Sequence, residues 1–98
     1  MQSIKIIDKN NKNYTINIDE DSFEHKIEKN GREKYEIKFL THDENGIAGQ
    51  GKFIINCNPQ YAGDDISDKL IQMGVHKLKK AIDDGKDIMS IAFNFNIL

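Results

Sequence analysis

Two periodicities divide this chain. Over most of its length apolar and polar residues alternate with a period of two, and over residues 65–84 the period lengthens to that of a helix. Stepped at about 100° per residue, that stretch places Leu70, Ile71, Gly74, Val75, Leu78, Ala81 and Ile82 on one side. Asp68, Lys69, Gln72, His76, Lys79, Lys80 and Asp83 fall on the other, so one face is made for burial and one for water. Asp64 or Asp65 can cap the first N–H groups, and Asp68 in the first turn suits the helix dipole. Gly85 can close the other end in the left-handed conformation. Gly74 sits in the middle of the apolar face, where glycine costs about 1 kcal/mol against alanine. The expected reason is a close approach of the helix axis to a sheet.

The alternating stretches predict strands. Ile4 and Ile6 alternate with Ser3 and Lys5, and Tyr14, Ile16 and Ile18 alternate with Thr15 and Asn17. An odd-length polar loop between them sets Ile6 beside Tyr14 and Ile4 beside Ile16. Asp19-Glu20-Asp21-Ser22 reads as an acidic turn into a third strand carrying Phe23, His25 and Ile27. Asn30-Gly31 then signals a hairpin into Tyr35, Ile37 and Phe39. Matching apolar faces across it pairs Ile27 with Tyr35 and Phe23 with Phe39. Residues 41–50 form the longest irregular stretch. Phe53, Ile55 and Cys57 follow as a strand, with Phe39 near Phe53 and Ile37 near Ile55, and Pro59 ends it. After the helix, Ile91, Phe93, Phe95 and Ile97 alternate with Ala92, Asn94 and Asn96, the cleanest strand pattern in the chain.

The expected order is five strands in a meander, one helix and one strand. With a single helix to cover the apolar strand faces, the economical fold is an α+β two-layer domain over residues 1–98. It is a mostly antiparallel sheet of five to six strands with one long helix across one face.

Length and charge narrow the function. A chain of 98 residues holds one modest core. A net charge of −2 gives no global attraction to nucleic acid or anionic membrane. Cys57 is the only cysteine, so no internal disulfide forms and a reducing compartment is expected. No apolar leader opens the sequence, and no run approaches the roughly 20 apolar residues of a membrane span, so a cytoplasmic protein is expected. Lysine, asparagine and isoleucine, all encoded by AT-rich codons, are abundant, which suggests a low-GC bacterium or one of its phages or plasmids.

Candidate chemistry is sparse. His76 lies on the wet face of the helix without a ligand at helical spacing, and His25 falls on a strand's apolar face. His42-Asp43-Glu44 is a local cluster of ligand-type residues, but adjacent side chains converge poorly on one ion. Cys57 has core-facing parity and no neighbouring base, so an inert thiol is expected. No metal, no cofactor and no catalytic residues are expected. The loop Gly46-Ile47-Ala48-Gly49-Gln50-Gly51-Lys52 is spaced too tightly for a phosphate loop and precedes a strand. Lys69, Lys77, Lys79 and Lys80 are candidate phosphate contacts, although aspartates interleave with them and Arg32 is the only arginine.

Two apolar features remain. Ile7, Leu40, Ile54 and Ala92 share the outward parity and form a candidate partner surface, with Leu40 and Ile54 expected as diagonal neighbours. Residues 90–98 carry neither proline nor a charged side chain, so an open edge there would lack the usual protection. Ile91, Ala92, Phe93 and Asn94 are therefore a candidate edge for a homodimer. The expected function is a small non-catalytic interaction protein that binds another protein, one concrete form being a phage or mobile-element inhibitor of a host complex. The alternative is a nucleic-acid or nucleotide-binding module using the lysine side of the helix or the glycine loop.

Overall fold

A computed structural model of the chain describes residues 2–59, 63 and 65–97. Its elements are β1 (Gln2–Ile7), β2 (Asn13–Ile27), β3 (Glu33–Asp43), β4 (Gly46–Cys57), α1 (Ile66–Asp83) and β5 (Ile91–Ile97). The strands form one sheet in chain order, β1-β2-β3-β4-β5. The first three junctions are antiparallel and the last, reached through α1, is parallel. The α+β class and the single covering helix are as the pattern predicts. The sheet's five strands fall within the expected five to six, but the element order differs, because among the described residues four strands precede the helix rather than five.

The difference lies in the acidic run. Residues on either side of it belong to one strand, β2, and both halves pair with β3. Between the pairs Asp19↔Lys38 and Glu24↔Glu36, β2 advances further than β3, so the extra residues bulge out of the ladder. Ser22 closes the gap. Its hydroxyl donates to the Asp19 carbonyl (2.6 Å) and accepts from the Lys38 N–H (2.8 Å). A side chain thus replaces the missing backbone partner, and the chain keeps its direction where composition alone reads as a reversal.

The β1–β2 register is the expected one, with Ile4↔Ile16 and Ile6↔Tyr14. The next two hairpins are each displaced by two residues. His25 opposes Tyr35 and Ile27 opposes Glu33, in place of Ile27 with Tyr35 and Phe23 with Phe39. Ile37 opposes Phe53 and Tyr35 opposes Ile55, in place of Phe39 with Phe53 and Ile37 with Ile55. A shift of two keeps every side chain on its face, so face matching fixes parity and leaves this freedom. The Phe39 and Phe53 rings still stack diagonally, with centroids 4.5 Å apart.

Residues 41–50 are not irregular. β3 runs to Asp43, the turn is Glu44-Asn45, and β4 starts at Gly46, with a bulge where Thr41↔Gly49 gives way to His42↔Ile47. Gly49 and Gly51 lie in the ladder, where any side chain would collide with Ile88 and Ile91. The glycines make room for the segment that leads into β5, and they form strand rather than a phosphate-binding loop.

α1 buries Ile66, Leu70, Ile71, Gly74, Leu78 and Ala81 against the sheet. A Cβ at Gly74 would run into the Phe53 ring, which is the close approach expected of it. At the C-terminus Gly85 is left-handed (φ 73°). Its N–H donates to the Ile82 carbonyl (3.1 Å) and that of Lys86 to the Ala81 carbonyl (3.0 Å), a Schellman closure. The other end differs from expectation. Asp65 makes no side-chain cap, and Asp64 lies outside the described residues, as do Tyr61, Ala62 and Leu98. Asp83 ties the helix to the β1–β2 turn by accepting the Lys9 N–H (2.9 Å).

Candidate functional site

The sheet has two outer edges of opposite character. One is formed by β1 and by the second half of β2, which among the described residues no strand covers on its far side. It carries Lys5, Glu24 and Lys26, and the bulge before Glu24 breaks its line. The other is β5, whose sequence IAFNFNI has no charge, no proline and no bulge. β5 is thus an edge strand, and its free side has none of the usual protection.

The ladder shows which of its backbone groups are free. The Gln50 N–H donates toward the β5 side, to the Ile88 carbonyl (3.0 Å). Backbone groups alternate sides along a strand, so Lys52, Ile54 and Asn56 present theirs to the same side. With the parallel register Lys52↔Ala92, the groups of Ile91, Phe93, Phe95 and Ile97 then face β4. The Ile97 carbonyl accordingly accepts from the Arg32 guanidinium (3.3 Å), which also holds the Asn56 carbonyl (3.2 Å). The N–H and C=O groups of Ala92, Asn94 and Asn96 point away from the sheet.

Two hollows share Ala92 along this edge, one on each face, and a third, lined by Arg32, Asn56 and Asn96, lies at its other end. On the helix side a groove of about 280 Å³ has Phe93, Phe95 and Ala81 as its apolar floor and Lys77, Lys80 and Lys86 on its rim, opposed among the described residues by Asp84 alone. Phe93 is anchored there against Phe39 and Phe53, with centroids 6.4 and 6.0 Å away. On the outer face of the sheet a wider cleft of about 560 Å³ is lined by Leu40 and Ala92 together with Lys38, Lys52, Asp19 and Gln50.

The residues expected to form a partner surface do not stay together. Leu40 and Ala92 line the outer cleft. Ile54 opposes Glu36, not a residue near Leu40, and is only 6% exposed. Glu36 spans Lys34 and Lys52 (3.7 and 3.8 Å), and these long side chains border Ile54 on the same face. Ile7 is 54% exposed at the far end of β1, opposite Asn13. The candidate edge residues Ile91, Ala92, Phe93 and Asn94 all lie on β5, but only Ala92 and Asn94 turn their backbone groups outward.

The candidate phosphate contacts also divide. Lys69 and Lys79 form i,i+4 pairs with Asp65 (4.0 Å) and Asp83 (3.1 Å), whereas Lys77 and Lys80 share the β5 groove. The spacing of Lys77, Lys80 and Asp84 marks one flank of the helix in the sequence. Which strand lies beneath that flank, and that Lys86 joins it, depends on the crossover.

The titratable residues are spread out. His42 Nδ1 accepts from the Asn17 amide (3.1 Å), while Asp43 turns to Lys12 (3.2 Å) and to the Asn45 N–H (2.7 Å), so the loop cluster does not converge. The Asn45 N–H and Lys12 hold the Asp43 carboxyl below its ordinary range, and Asp43 in turn raises Lys12. His25 stacks on Tyr35 at 4.3 Å and bonds Glu33 (2.8 Å). Burial, then Glu33, pushes the Tyr35 hydroxyl and the Cys57 thiol up, so Cys57 has little thiolate character. Among the described residues no three His, Cys, Asp or Glu side chains gather as a metal site, and no helix is long and apolar enough to cross a membrane. Comparison with family models, curated proteins and solved structures gives no match.

Proposed function

We propose that this chain is a small non-catalytic module that binds another protein through the β5 edge. The observation that carries the reading is the asymmetry of the sheet. One edge is charged and bulged, and the other offers the outward N–H and C=O groups of Ala92, Asn94 and Asn96 without a charge or a proline. An extended segment added there gains main-chain hydrogen bonds, and the hollows on either side can take its alternating side chains. The homodimer expected from the sequence would use this same edge.

Selection from a display library of random peptides tests the reading. The native protein is expected to enrich extended, β-prone peptides, and a folded Asn94→Pro variant, which lacks one outward donor, is expected to enrich none of them. Enrichment of the same peptides by both proteins would move the binding surface away from β5.

A further inference from the structure

We infer that the segment received by β5 is acidic and extended, with carboxylates on alternate residues facing α1. This deepens the edge-binding reading and rests on it. A strand added beside β5 projects every second side chain to the helix side of the sheet, over the groove. The floor there is apolar, Phe93, Phe95 and Ala81, while the rim carries Lys77, Lys80 and Lys86 against, among the described residues, one carboxylate, that of Asp84. None of the three lysines forms an ion pair among the described residues, unlike Lys69 and Lys79 on the same helix. A glutamate fits both parts. Its aliphatic stem lies on a phenylalanine ring and its carboxylate reaches a lysine.

Charge also separates this occupant from a second copy of the chain. Two β5 strands paired antiparallel about a two-fold axis would place both helices on the same face of a continuous sheet. Each lysine rim would then face the other, with Lys77, Lys80 and Lys86 of both copies across one trough, and like charges so placed oppose association. An acidic strand meets the rim with the opposite sign. On the other face its side chains lie beside Ala92, Asn94 and Asn96 and over the outer cleft, where Leu40 and Ala92 are apolar and Asp19 and the Glu36 paired with Lys52 offset the lysines, so β-branched residues fit there.

The experiment uses two capped peptides of the same length as β5, 7 residues, one alternating glutamate with valine and one alternating lysine with valine. Binding to the full chain is followed by amide chemical shifts and by titration at low and high salt. The glutamate peptide should shift the amides of β5 and of the Lys77–Lys80 turn, and should weaken as salt rises. The lysine peptide should bind about tenfold more weakly or worse, as expected when a rim charge is mismatched. Combining Lys77→Glu with Lys80→Glu should reverse the preference. Methylating alternate peptide nitrogens, which removes strand donors without altering the protein, should abolish binding. Equal binding of both peptides would overturn the acidic partner and leave the open edge standing. Failure of both peptides, or binding indifferent to methylation, would remove the edge reading as well. A dimer that forms at micromolar concentration and is broken by Asn94→Pro would make a second copy the occupant and overturn the proposal.

Discussion

At the residue scale, Gly74 shows how much one position can disclose. A glycine in the apolar face of a good helix works against propensity, which points to a steric demand, and the Phe53 ring supplies it. Gly74→Ala should therefore destabilise by about 1–3 kcal/mol, the range for overpacking a filled core, although alanine is the better helix former. Denaturant titration measures it, and a stabilised variant would mean that helix and sheet are further apart. Cys57 was legible for a similar reason, because strand parity alone turned it inward and it is fully buried. The native protein should react slowly with a thiol reagent and the denatured protein quickly. His25 was less legible: its place on a strand's apolar face suggests partial burial, whereas it is exposed, and its ring stacked on Tyr35 and its bond to Glu33 require the register.

At the scale of elements, the helix was the most readable part and β2 the least. The apolar stripe of α1 packs as its wheel predicts, so Leu78→Ala should cost about 2–5 kcal/mol and the exposed His76→Ala almost nothing. Equal losses on chemical denaturation would mean that another face is docked. β2 misled because an acidic run has the composition of a turn, and what keeps it straight is Ser22 bonding into the ladder of β3. No local rule anticipates a side chain standing in for a backbone partner. The link between α1 and the β1–β2 turn has a pH signature. The Lys9 N–H, then Lys79, hold the Asp83 carboxyl below its ordinary range. A folded-state value that is depressed stabilises above the unfolded value and loses that contribution as pH falls through the folded one. The melting-temperature advantage of the native protein over Asp83→Asn should thus be full at neutral pH. It should begin to shrink only near the ordinary aspartate value of about 3.9, and vanish in stronger acid.

At the scale of the whole molecule, class and layering followed from one helix and many half-apolar strands. The position of β5 did not, since a terminal strand joined through a helix can end inside the sheet or at either edge. The pattern posed the question sharply, because residues 91–97 lack every protection an edge normally carries. The structure answers it by placing β5 at the edge, beside β4 and parallel to it. The candidate partner surface dissolved for the complementary reason. Outward parity groups Ile7, Leu40, Ile54 and Ala92, but only the register tells which of them meet, and it brings together Leu40 and Ala92 alone.

Amide hydrogen exchange along β5 in dilute protein tests the open edge most directly. The N–H groups of Ala92, Asn94 and Asn96 should exchange quickly and those of Phe93 and Phe95 slowly, and the glutamate–valine peptide should protect the first set. Slow exchange at all five positions, unchanged on dilution and without peptide, would show that the edge is already closed and contradict the account.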